Sequence, residues 1–246
     1  MPLVGADYGQ MELRVSTLAW PDPKWTAAIG SDTDMHEQVA RTVLGITADK
    51  VPEEDRVLAK NCNFGVLYGS KGAQIVEQTG RPLEVVRAFI DGMYSTFPGF
   101  FGQIEVDKKQ IHASGEFTTI MGWKQEVNVY DKPRRDREKK VWEYSRRDAE
   151  ELRYAINAKV QGPAAQITLA AHILLHRWLS GRTDAMMVNN VHDAIYIDCK
   201  QNVVDEIMEG MRHLMINIPL GDIFGFELPV PLKVDVAVGD SWGDMH

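Results

Sequence analysis

The spacing of apolar positions changes several times along the chain, and each change marks an element. Leu3-Val4-Gly5-Ala6 is a short apolar run ending at Asp7, which reads as a buried strand with a carboxylate at its tip. Met11, Val15 and Leu18 then recur at helical spacing, and Pro21 and Pro23 are read as closing that helix. From Ser31 to Gly122 the pattern stays helical with short breaks. Asp34-Met35-His36 opens one helix there, and Pro52-Glu53-Glu54 and Pro82-Leu83-Glu84 open two more with proline in a favoured first-turn position. Gly115 to Val129 reads as a turn or hairpin punctuated by Gly115 and Gly122. Further on, Met186-Met187-Val188 and Ile195-Tyr196-Ile197 are short apolar strands. They predict a hairpin with His192 and Asp193 at or near its tip. A helix over about Gln201–Asn217 comes next, and strict alternation of Val230, Leu232, Val234, Val236 and Val238 predicts a half-buried final strand.

Composition narrows the class. The chain has 246 residues, 44% of them hydrophobic, enough for one large domain or two small ones with ordinary cores. It holds no apolar run of about 18 residues, so no membrane span is indicated. Its first seven residues lack the basic start and apolar stretch of a signal peptide. Cys62 and Cys199 lie far apart without metal-like spacing, which fits a reducing, cytoplasmic setting. A formal net charge of -8 argues against a protein whose whole surface grips nucleic acid, though it leaves room for a local basic groove.

Three stretches carry candidate chemistry. In Arg56-Val57-Leu58-Ala59-Lys60-Asn61-Cys62-Asn63-Phe64-Gly65-Val66-Leu67-Tyr68-Gly69, the residues Arg56, Lys60, Phe64 and Tyr68 recur every four positions. On a helix that spacing drifts by about 40° per step, so the four side chains form one slowly turning stripe. Two cations followed by two rings suit a ligand with a polyphosphate at one end and a flat base at the other. The plainer reading is a surface helix whose aromatics enter the core. Asp7, at a strand end before a helix, is either a metal ligand or a helix cap. Asp7 and Asp193 presented from neighbouring strands can hold two Mg2+ ions, which prefer oxygen ligands, at a phosphoryl-transfer centre. Between them, positions 131 to 153 hold nine basic residues against seven acidic ones, a mixture that favours a solvated loop and helix face. Arg153, Asn157 and Gln161 then form a second four-residue stripe. All three can donate hydrogen bonds, as minor-groove acceptors require whatever the base pair, but a merely polar helix face has the same pattern.

Taken in order, three motifs resemble those of the A-family DNA polymerases. Asp7-Tyr8-Gly9-Gln10-Met11-Glu12-Leu13-Arg14 looks like the first catalytic motif, Arg56 to Gly69 like the nucleotide-binding fingers helix, and Val191-His192-Asp193 like the third motif. Lesser matches are Asp34-Met35-His36, Asn157 to Gly162, and the closing stretch from Asp240 to His246. The resemblance covers essentially the whole chain. It implies an α+β, helix-rich fold: a right-hand polymerase palm on an antiparallel sheet, with a helical fingers subdomain and without thumb or exonuclease domains. The implied division is palm over 1–24, fingers over 25–128, and palm again over 129–246.

At matching positions the resemblance implies roles. Asp7 and Asp193 bind two Mg2+ ions, and Lys60 joins them in catalysis. Gln10, Glu12, His36, Arg56, Lys60, Phe64 and Tyr68 contact the incoming dNTP. Glu12 near Tyr68 excludes a 2′-hydroxyl, and Phe64 implies poor use of dideoxynucleotides. Arg153, Asn157, Gln161 and His192 contact primer-template DNA. This chain departs from the pattern in two places. Ala194 stands where the family usually has a glutamate, which implies weakened chemistry, and Trp123, Lys124 and Gln125 follow Gly122 where DNA-gripping arginines are usual. The expected protein is the catalytic portion of a DNA-directed DNA polymerase, of bacterial or phage type, working with a separate N-terminal polymerase fragment that carries thumb and exonuclease. The alternative of another class is a catalytically inactive, polymerase-like DNA-binding or assembly module, favoured only by Ala194. A third option is a single-chain RNA polymerase or reverse transcriptase with the same palm chemistry. Glu12 with Tyr68 weighs against ribonucleotide use.

Overall fold

A computed structural model describes residues 1–31, 34–67, 72–135 and 142–245. The elements run β1 (Leu3–Tyr8), α1 (Met11–Ala19), α2 (Pro23–Gly30), α3 (Met35–Leu44), α4 (Glu53–Leu67), α5 (Gly72–Thr79), α6 (Leu83–Thr96) and α7 (Pro98–Ser114). There follow β2 (Glu116–Thr118), β3 (Lys124–Glu126), β4 (Arg134–Arg135), β5 (Trp142–Glu143) and the long α8 (Arg146–Leu179). The chain closes with β6 (Ala185–Val191), β7 (Ala194–Cys199), α9 (Val204–Ile216), α10 (Leu220–Phe224) and β8 (Val234–Gly239). It divides into two compact units, one of Met1–Val15 with Gln161–His246 and one of Ser16–Val160. The fold is helix-rich with an antiparallel sheet, as the sequence predicts.

The first unit is built on a four-stranded antiparallel sheet in the order β6-β7-β1-β8. Period-two alternation gives the sheet two unlike faces. Val4, Ala6, Ile195, Ile197, Cys199 and Val234 all point to one side and are buried. Helix α9 packs against β1, β7 and β8 and supplies Val204, Ile207, Met211 and Met215 to this core. Asp7, Tyr196, Asp198 and Asp235 alternate with those residues and so stand on the opposite face. The final strand is shorter than the alternation predicts. It begins at Val234, although Val230 and Leu232 are buried at 1% and 5% exposure. Pro229 and Pro231 explain this, since proline donates no ladder hydrogen bond and locks φ.

The second unit is helical around an aromatic core. The Trp25 ring stacks on Phe100 at 4.5 Å and meets Phe97 edge-on at 5.2 Å, while Trp20 meets Phe100 edge-on at 5.7 Å. Pro23 turns out to open α2 rather than close α1. It sits in the first turn behind Asp22, whose side chain accepts from the Lys24 and Trp25 amides at 2.9 and 3.0 Å. The other Asp22 oxygen accepts from the Gly99 and Phe100 amides at 3.0 and 3.2 Å, so one buried carboxylate caps both α2 and α7. The predicted hairpin is present as β2–β3. Gly115 and Gly122 take φ of +71° and +81° at the end of α7 and in the turn, where side chains with a β-carbon are disfavoured.

Candidate active site

The residues singled out by the sequence gather into two groups, one in each unit. In the sheet unit, Asp7 lies directly opposite Ala194 of β7 on one side and Asp235 of β8 on the other. Directly opposed residues of antiparallel strands share a face, so Ala194, Asp7 and Asp235 form a row across the polar side of the sheet. Helix α1 begins four residues after Asp7. Asp7 is therefore a strand residue, not the helix cap that the sequence left open.

The β6–β7 hairpin carries Asp193 to the Asp7 carboxyl. Its two-residue turn is His192-Asp193, as predicted. Among the described residues only Gln10 and His192 combine a β-carbon with positive φ, at 53° and 54°. That conformation costs about 1–2 kcal/mol, and both residues sit at turns beside the aspartates. The Asp7 carboxyl is pushed up to about 6. Partial burial is the largest cause, followed by the charge of Asp193, the hydrogen bond these two carboxyls share, and the charge of Asp235. Glu12 is raised too, by burial first and then by Asp193, while a hydrogen bond from Gln161 and the nearness of His192 oppose the rise. Asp7, Asp193, Glu12, Gln161 and His192 therefore form one electrostatic cluster.

Arg14 anchors the turn that follows Asp7. It is 3% exposed and donates from Nε to the Gly9 carbonyl at 2.9 Å and from Nη1 to the Pro231 carbonyl at 2.6 Å. The Gly9 amide donates to the Lys233 carbonyl at 2.9 Å, which ties the same turn to the segment leading into β8. Beneath it the buried Tyr8 hydroxyl donates to the Met215 carbonyl at 2.8 Å.

The helical unit holds the second group, on α3 and α4. Arg56 is half-buried, Lys60 exposed and Phe64 half-buried, which bears out the helical stripe over these three residues. Tyr68 lies outside the described residues. Arg56 is held by acids: its Nε and Nη2 donate to Asp34 at 3.1 and 2.7 Å, and its Nη1 to Glu53 at 3.0 Å. His36 is 2% exposed, its ring 5.8 Å from that of Phe64 and its Nδ1 3.0 Å from Nδ2 of Asn63. Burial, joined by the charges of Lys60 and Arg56 and opposed by Asp34, pushes the imidazole down to about 4. It is neutral at pH 7 and accepts from the Asn63 amide. Arg153 and Asn157 stand on α8 in the helical unit, and Gln161 follows on the same helix face beside Glu12.

Sequence reasoning missed Asp235, Arg14 and Asn63. An aspartate between valines on an otherwise apolar strand was a visible signal for Asp235. Nothing local marks a buried arginine or the Asn63–His36 pair.

Residues 1–244 of the 246 match the model of DNA polymerase family A. It is 30% identical to DNA polymerase I of Pseudomonas aeruginosa over 246 residues, covering 99% of this chain and 25% of that protein. Thermostable DNA polymerase I of Thermus aquaticus is 29% identical over 98% of this chain and 27% of its own length. The DNA polymerase of Bacillus phage SP01 is 27% identical over 98% of this chain and 26% of its own. In fold it matches the polymerase domain of Pol1 from M. smegmatis, solved with DNA primer-template and dNTP, at a TM-score of 0.79 and 24% identity, covering 98% of this chain and 40% of that one. The protein belongs to DNA polymerase family A. It spans about a quarter of the length of these three relatives.

Proposed function

We propose that this chain is the catalytic portion of a DNA-directed DNA polymerase, adding dNTPs to a primer 3′-hydroxyl on template DNA. The observation that carries this reading is the pairing of Asp7 with Asp193 on the polar face of the sheet. Two crowded carboxylates, one of them reluctant to ionise, are relieved by a divalent cation. Among the described residues no group of three or more His, Cys, Asp and Glu side chains is arranged to hold a metal. A two-carboxylate site still fits Mg2+, which keeps several waters and takes substrate phosphates as further ligands. Two bound Mg2+ ions supply charge neutralisation for the attacking 3′-oxygen and the leaving pyrophosphate.

The chain's own residues do the positioning. Arg56 and Lys60, with neutral His36, attract and orient the triphosphate, Lys60 also acts in catalysis, and Phe64 packs on the incoming nucleotide. Gln10 joins the triphosphate contacts. Glu12, held by Gln161, lies under the sugar and, with Tyr68, excludes a 2′-hydroxyl. Arg153, Asn157, Gln161 and His192 meet the primer-template near the new base pair. The palm takes 1–24 and 129–246, and the fingers 25–128. A separate polypeptide with thumb and exonuclease completes the enzyme and adds phosphate contacts, the main source of non-specific DNA affinity, to a chain of net charge -8.

One observation favours a second reading. Ala194, directly opposite Asp7, contributes no carboxylate, as a catalytically inactive DNA-binding or assembly module would allow. Primer extension with Mg2+ and dNTPs separates the two, run beside an Asp7→Ala control with and without an added N-terminal polypeptide that carries thumb and exonuclease. Extension that vanishes in the control supports the polymerase. Silence under every condition leaves the module.

A further inference from the structure

We infer that Asp34 is a positioning residue for triphosphate binding, holding Arg56 and the start of α3 in one fixed arrangement. The inference rests on the nucleotide-binding reading of Arg56 given above. It starts from how the carboxylate divides its two oxygens. Oδ1 accepts from the His36 and Glu37 amides at 2.9 and 3.0 Å and so caps α3. Oδ2 accepts from Arg56 Nε and Nη2 at 3.1 and 2.7 Å. One side chain thus ties the N-terminus of α3, where His36 sits, to the first turns of α4.

The donor count shows what this leaves for a ligand. A guanidinium has five N–H groups. Two are spent on Asp34 and one on Glu53 at 3.0 Å. The remaining two belong to Nη1 and Nη2, the pair that receives a phosphate end-on in a bidentate grip. Arg56 and Asp34 side chains are each about one-third exposed, at 33% and 32%, so an incoming anion reaches them without the fold opening. Lys60, one turn along α4, is exposed and makes no ion pair among the described residues. An arginine on a free stem loses much rotamer freedom when it grips an anion. Asp34 removes that freedom beforehand, so the cost is met in folding and not in binding. Its charge opposes the anion, but the ligand meets a pre-aimed fork.

The test is dATP binding with Mg2+ to the full 246-residue chain, read by calorimetry, with no need for a complete polymerase. Asp34→Ser keeps an oxygen that caps α3 but cannot span to Arg56, and Asp34→Asn keeps the length and cap while losing the charged fork. Both variants should bind dATP about tenfold more weakly and melt close to the parent. Arg56→Ala should weaken binding by at least as much, and adding Asp34→Asn to it should cost nothing further, because the aspartate acts through the arginine. Deoxyadenosine, which has no phosphates, should bind all five proteins alike. Unchanged or tighter dATP binding by Asp34→Asn overturns the inference, as does an equal loss in the Arg56→Ala background. If Arg56→Ala itself binds dATP as the parent does, the nucleotide reading of this helix fails first and the inference falls with it.

Discussion

His36 offers a prediction whose size follows from its surroundings. The imidazole is 2% exposed and accepts from Asn63, and burial with the nearby charges of Lys60 and Arg56 pushes it from 6.5 down to about 4, against the pull of Asp34. The native state therefore refuses a proton that the unfolded chain accepts near pH 6.5. Stability is complete above that value and falls as pH drops towards 4, below which both states are protonated and the loss stops. At pH 5 the unfolded chain lies about 1.5 pH units below its own titration point, so the loss is about 2 kcal/mol at 1.36 kcal/mol per unit. With a urea dependence of about 2 kcal/mol per molar, His36 on its own should lower the unfolding midpoint by about 1 M between pH 7 and pH 5. Urea unfolding followed by tryptophan fluorescence suits the assay, since Trp20 and Trp25 are buried in the same unit. His36→Gln has no such proton to refuse. It should begin less stable at pH 7 but lose about 2 kcal/mol less on going to pH 5. Asp148, whose acidity is raised in the fold, and Asp7, whose acidity is lowered, act alike in both proteins and cancel in the comparison. Equal acid losses in parent and variant would refute the claim that the fold holds His36 neutral.

Three further outcomes follow from single contacts. In metal-free buffer at pH 7, Asp7→Asn should stabilise the chain by about 1 kcal/mol, after discount for solvent screening, because it removes a partly buried charge and its repulsion by Asp193 and Asp235, which together push Asp7 up to about 6. The same variant should lose primer extension, and thermal unfolding in EDTA that shows a loss of stability would contradict the crowding. Arg14→Met should cost about 3 kcal/mol in urea unfolding, since it leaves the Gly9 and Pro231 carbonyls without their charged donor; a loss under about 0.5 kcal/mol would show that the anchor is dispensable. Gly210→Ala should cost about 1–3 kcal/mol, because the added methyl meets the Trp178 ring, and an unchanged melting temperature would show that the ring moves aside freely.

Much of the architecture was legible because it is written in short-range period. Two short apolar runs exposed the hairpin that carries Asp193, and four-residue spacing placed Arg56, Lys60 and Phe64 on one helix face. A strand ending in an acid marked Asp7. Where period alone was trusted it overreached: burial alternates from Val230 onward, but two prolines delay the strand to Val234. Pro23 was ambiguous for the same reason, since proline ends one helix and begins the next equally well.

The chain by itself determined which side chains could do chemistry and on which kind of element each would sit, because helical and strand periods are properties of neighbouring residues. Only the tertiary structure decided who meets whom. Strand register set Asp235 beside Asp7 and left Ala194 on the other flank, and no local pattern specifies the pairing of strands so distant in sequence. Burial turned His36 from a polar residue near a helix start into a neutral acceptor for Asn63. The meeting of α3 with α4 made Asp34, a helix cap, also the clamp on Arg56. In each case the deciding quantity was an electric field or a distance, and both depend on groups that only folding brings together.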